Sequence, residues 1–94
     1  MSENTDNTVY IGKKPVMNYV RACMTQIQKG AKKIVIKGRG RSIVRAVDCA
    51  EILRREFIKN AVVSDIKITT ESIDRSEGGK TKKSAIEITL TIGE

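Results

Sequence analysis

The stretch that decides the fold is IVIKGRGRSIVRAVD, residues 34–48. Ile34-Val35-Ile36 is a short apolar run between lysines, of the kind found in interior strands. Gly38-Arg39-Gly40-Arg41 then makes a turn, and Ser42 is placed to cap a helix with its hydroxyl. Beyond it Ile43, Ala46, Val47, Ala50, Leu53 and Phe57 recur at helical spacing as one apolar stripe. Val44 and Ile52 lie off that stripe, which points to a second buried surface such as a subunit contact.

Upstream, residues 8–12 read as a short strand with Val9 and Ile11 on its apolar side. Pro15 suits the first turn of a helix, where a missing N–H costs nothing. Val16, Val20, Cys23, Met24 and Ile27 carry that helix to Gly30, which stops it. Downstream, residues 61–73 and 82–92 are two further strands. Ile86, Ile88, Leu90 and Ile92 alternate with Glu87, Thr89 and Thr91, and Ile66 and Ile68 alternate with Lys67 and Thr69. The order is βαβαββ, an α+β two-layer fold with two helices on a four-stranded mixed sheet. Strands of this length at the carboxyl end extend to about 40 Å, much further than the first two. Their hairpin, turned by Gly78 and Gly79, is therefore expected to overhang the sheet as an arm. Residues 1–7 form a polar tail expected to be disordered, and residues 8–94 a single domain.

Charge is the first functional clue. The formal net charge is +7, with 18 Lys and Arg against 11 Asp and Glu. Residues 7–47 hold ten basic residues and no acidic one. A one-signed field of this kind is suited to a polyanion. In an open sheet with parallel strands, the loops leaving their carboxyl ends collect on one edge. That edge gathers Lys13 and Lys14 after the first strand and Arg39 and Arg41 after the second, each pair beside a helix N-terminus that favours anions. Glycines at 38 and 40 are expected to let phosphate approach the main chain. Lys37 and Arg45 extend the patch, and Arg75, Lys80, Lys82 and Lys83 tip the arm.

The composition also excludes function classes. There is no His, and Cys23 and Cys49 form no CxxC pair, which argues against zinc and His-based catalysis. Both cysteines read as small core or interface residues. The GxG at 38–40 lacks the third glycine of a dinucleotide loop, since Ile43 stands there, and no acidic residue follows at the ribose position. No nucleophile sits beside a base, so an enzyme is not expected, nor any cofactor. With 3% aromatic residues the chain is poor in base-stacking platforms. No apolar run nears the roughly 18 residues of a membrane span, and no signal peptide is visible. A soluble cytoplasmic protein is expected.

The stretches IGKKPVMNYV (11–20) and IVIKGRGRSIVRAVD (34–48), with the hairpin ending in IEITLTI (86–92), closely resemble the Alba family of small basic archaeal chromatin proteins. The resemblance implies strand order 1-2-4-3, a homodimer, and hairpin arms that reach along the minor groove. It implies binding of double-stranded DNA through backbone phosphates with little sequence specificity, compaction of the chromosome by dimers packed side by side, and binding of RNA as well. A primarily RNA-binding protein, acting as an RNA chaperone or RNA-processing subunit, is the alternative. By position, Lys13 and Lys14 match the family's central DNA-contacting pair, and Arg39, Arg41 and Arg45 its basic segment. Phe57 matches an apolar residue used between dimers, and Lys13 is a candidate for regulatory acetylation. Asp74 and Glu77 depart from the pattern by diluting the arm's charge.

Overall fold

The computed structural model describes residues 7–93. The elements are β1 (Thr8–Tyr10), α1 (Val16–Gln28), β2 (Lys33–Arg39), α2 (Ser42–Ile52), a π turn (Leu53–Phe57), β3 (Ala61–Asp74) and β4 (Lys80–Ile92). The sheet order is β1-β2-β4-β3. β1 and β2 are parallel, while β2–β4 and β3–β4 are antiparallel. Two helices thus lie on a mixed sheet, as the sequence pattern predicts. Of the tail, residues 1–6 lie outside the described residues. Asn7 already belongs to the sheet margin, its carbonyl accepting from the Val35 amide at 3.3 Å.

One face of the sheet carries the core. Ile34 pairs with Leu90 and Ile36 with Ile88 across β2–β4. All four are buried together with Val20 and Cys23 from α1 and Ala46, Cys49, Ala50 and Leu53 around α2. Cys23 and Cys49 meet within this core. Hydrogen bonding to Cys49, together with burial, pushes the Cys23 thiol above its ordinary pKa, so it packs as an inert small hydrophobe. α1 ends as its glycine predicts. Gly30 has φ 105°, and its amide reaches the Ile27 carbonyl while that of Ala31 reaches Gln26, both at 3.0 Å. This double bond pattern satisfies two carbonyls that the helix end would leave unpaired.

Three local expectations are overturned. Ser42 does not cap α2: the N-cap position is Arg41, and the Ser42 hydroxyl instead reaches the Gly12 carbonyl at 3.4 Å. The apolar stripe of α2 does not run through to Phe57. After Ile52 the chain widens into a π turn, closed by the Ile58 amide on the Leu53 carbonyl at 2.7 Å. The extra residue per turn shifts the helical phase, and Phe57 swings out to 46% exposure. Val47 also stays outside the core, while Ile52, off the stripe, packs against it.

Gly38 is the third. It is buried, and a Cβ built there would stand 2.7 Å from the Ser42 carbonyl oxygen and 3.0 Å from the Ala46 Cβ. Its missing side chain lets α2 settle directly on β2; it does not open the main chain to phosphate. Gly38→Ala should therefore destabilise by about 1–3 kcal/mol, the usual cost of overpacking. Gly40→Ala, where the nearest atoms are 3.4 Å away at the end of the Lys83 side chain, meets less crowding but sits at φ 56° and should cost less. Paired urea melts of the two variants measure the difference. Equal losses would mean that the helix–strand contact is not the reason for Gly38.

Candidate nucleic-acid interface

β1 and β2 run parallel, so the segments after Tyr10 and Arg39 leave the sheet at the same edge. β4 runs opposite to β2 and pairs with it from Thr91 to Ala85, where Ala85 meets Arg39. The β3–β4 ladder continues for five more rungs, from Thr70–Ser84 to Asp74–Lys80, or about 17 Å at strand spacing. The arm therefore springs from the very edge where the two basic loops end. A turn at residues 75–79 closes it, the Arg75 amide reaching the Gly79 carbonyl at 3.1 Å with positive φ at Gly78 and Gly79.

The first loop is held from within. The Tyr19 hydroxyl accepts from the Gly12 amide at 2.9 Å and the Lys14 amide at 3.1 Å. The Gly12 carbonyl accepts from Arg45 Nη1 at 2.7 Å. Arg45 thus clamps the loop after β1 to the first turns of α2, and its charge stands just behind the edge. With the loop pinned, Lys13 and Lys14 project exposed, immediately before α1. Arg41 is exposed at the N-cap of α2. Among the described residues no acidic group pairs with any of the three. The arm adds Lys83, whose side chain lies along Gly40 with its ammonium 3.5 Å from where a Cβ would stand there.

Of the remaining sequence-predicted residues, Lys37, Arg39, Arg75 and Lys80 have partners within the chain. Arg39 Nη1 meets Glu71 Oε1 at 2.9 Å, with both side chains about half exposed. Lys37 lies on the sheet face away from the helices, 3.3 Å from Glu87 and 5.7 Å from the centroid of Tyr10. In the arm, Lys80 stands 3.9 Å from Asp74, and Arg75 donates to the Thr81 hydroxyl at 3.1 Å. Lys82 is exposed. Exposed pairs of this kind are worth about 0–1 kcal/mol, so a phosphate can draw Arg39 from Glu71 at small cost. Three contributors escaped the sequence reading: Glu71, Tyr19 and the clamp role of Arg45. Glu71 and the Arg45 clamp act on partners 32 and 33 residues away, which no local spacing reveals, and the Tyr19 contacts depend on how the loop after β1 folds back over α1. Phe57, away from this edge, borders a shallow groove with Met17, Arg21 and Met24 of α1.

The sequence profile of the Alba family matches residues 7–70 of this chain. The chain belongs to the Alba family. It is 56% identical over 85 residues to DNA/RNA-binding protein Alba 1 of Archaeoglobus fulgidus, spanning 90% of this chain and 94% of that one. DNA/RNA-binding protein Alba of Methanothrix thermoacetophila is 53% identical over the same share of each. The solved structure of Alba from Thermoplasma volcanium superposes with a TM-score of 0.85 at 47% identity, covering 90% of this chain and 99% of the other. The shared Alba fold includes the strand order and the placement of both helices. The profile match ends inside β3, so the tip of the arm lies beyond it.

Proposed function

We propose that this Alba-family chain binds double-stranded DNA mainly through its backbone phosphates, as a dimeric architectural protein with little sequence preference, and binds RNA through the same edge. The observation that carries this reading is the convergence of Lys13, Lys14, Arg41 and Lys83 on one sheet edge, beside the starts of both helices. Such an edge matches spaced phosphates and offers few base-edge readers, so it positions rather than specifies. The relatives named as DNA/RNA-binding proteins support it. Lys37, Arg39, Arg45, Arg75, Lys80 and Lys82 widen the field around the contact, and the protein would accordingly associate with the chromosome. Nothing in this reading calls for a cofactor or a reaction.

A second copy completes the arrangement. Neither helix covers β3, whose helix-side residues Val63, Ile66 and Ile68 stay exposed, and Val44 and Val47 of α2 are exposed as well. We assign this apolar surface to a homodimer contact on the second helix and the terminal strands. Phe57 and its groove are assigned to contacts between dimers on DNA.

Lys13 tests the interface without disturbing the fold. It is exposed and among the described residues its side chain has no partner, so neutralising it removes a charge and a phosphate donor while keeping most of the aliphatic stem. Lys13→Gln, which mimics acetylation, should melt as wild type does and bind duplex DNA about 3- to 10-fold more weakly, the loss of one phosphate contact. Melting temperature and DNA affinity are compared with Lys14→Gln at one salt concentration. A lower melting temperature would make Lys13 structural, and wild-type affinity would place it off the path of the backbone.

A further inference from the structure

The sheet face turned away from the helices carries a feature set apart from Lys13, Lys14 and Arg41 of the basic edge. Tyr10 stands there 69% exposed, unusual for a ring on a strand in a chain with only three aromatic residues. Tyr19 is committed to the loop after β1, and Phe57 lies beyond the helices. Tyr10 borders a concavity of about 260 Å³ whose rim includes Lys37, Arg39, Thr69, Glu71 and Glu87 and whose floor includes Ala85. The register sets Tyr10 beside Lys37 and Lys37 beside Glu87, while Arg39 and Thr69 both flank Ala85. The small Ala85 side chain, 5% exposed, leaves the hollow open.

The chemistry of the hollow distinguishes its ligand. Lys37 is paired with Glu87 and Arg39 with Glu71, so two cations and two carboxylates balance around the rim, and the hollow is a poorer phosphate site than the edge beside it. It does offer both donors and carboxylate acceptors around one exposed ring, which is what the edge and the face of a nucleobase require. The volume lies below the range of drug-sized pockets and suits a single planar group. Three residues beyond Tyr10 the chain reaches Lys13, so a strand whose phosphates follow the basic edge passes within reach. A duplex cannot use the hollow, because its bases are paired and stacked.

We propose that this hollow seats one unpaired base of a single-stranded RNA or DNA, stacked on Tyr10, while the flanking phosphates run to Lys13 and Lys14. The site rests on the nucleic-acid reading above and adds to it a distinction between single strands and duplexes. A lone stacking ring does not make the chain a dedicated single-strand binder, in keeping with its scarcity of aromatic residues. It gives one anchoring point on a phosphate-binding edge.

The full-length protein is tested by fluorescence anisotropy against a labelled 12-nucleotide oligouridylate and a labelled 20-base-pair duplex at the same salt, about 0.1 M, where exposed charges are moderately screened. Tyr10→Ala should lose about 5- to 150-fold in affinity for the oligouridylate, the usual worth of one stacked base, and keep its duplex affinity. Tyr10→Phe should restore single-strand binding. The emission of Tyr10→Trp should be quenched by the oligouridylate and left alone by the duplex. Equal loss on both probes, or no loss on either, overturns the site while leaving the phosphate-binding edge intact. Wild-type protein that binds neither probe overturns both readings together.

Discussion

Affinity for duplex DNA is expected to fall by about three to five orders of magnitude between 50 and 200 mM salt, the behaviour of a protein that neutralises roughly six to ten phosphates. The expectation follows from counting exposed cations at the edge. Among the described residues Lys13, Lys14, Arg41 and Lys83 have no acidic partner, and Arg39 is held by an exposed pair with Glu71. The proposed dimer doubles that set. Each phosphate neutralised releases condensed counterions and contributes about −0.9 to the log–log slope. Isothermal titration or anisotropy across a salt series measures the slope directly. Glu71→Gln frees Arg39 without touching the edge and should steepen the slope by up to about one contact per protomer. A nearly flat dependence would leave the basic edge without a role in binding, whatever the affinity.

The basic edge was legible in the sequence because two signals were local. Lys13-Lys14 and Arg39/Arg41 follow strands that the apolar runs mark, and the parallel connection obliges their loops to share an edge. The alternation of Ile86 to Ile92 likewise places Ile88 and Leu90 in the core and Glu87 on the opposite face. What stayed hidden depends on partners far along the chain. Arg39 and Glu71 are 32 residues apart and meet only through the register of three strands. Gly38 and Gly40 belong to one GxG yet do different work, since only the packing of α2 shows which of them faces a helix. The period of β3 marks Ile66 and Ile68 as one side of a strand but is silent on whether anything covers it. Phe57 fits the helical period well, and a single π turn moves it out.

The uncovered side of β3 carries the second large effect. Ile66→Asp combined with Ile68→Asp should convert the proposed dimer to a folded monomer and lower DNA affinity by about two to four orders of magnitude, the gain usually lost when two linked sites become one. In wild type, Ile66 and Ile68 are 55% and 79% exposed, and Val44 on α2 is 67% exposed. Burying such side chains is worth about 1.5–3 kcal/mol each, and a two-fold contact uses every one of them twice. An aspartate in the same place would bury an unpaired carboxylate at a cost of several kcal/mol, again in both copies. Within one protomer neither residue enters the core, so the monomer should keep its circular dichroism spectrum. Lys13→Glu with Lys14→Glu is the counterpart: it should abolish DNA binding and leave light scattering at the dimer mass, because the two surfaces share no residue. A β3 double variant that stays dimeric would move the contact away from this face. A lysine double variant that falls apart would mean that the basic edge holds the subunits together.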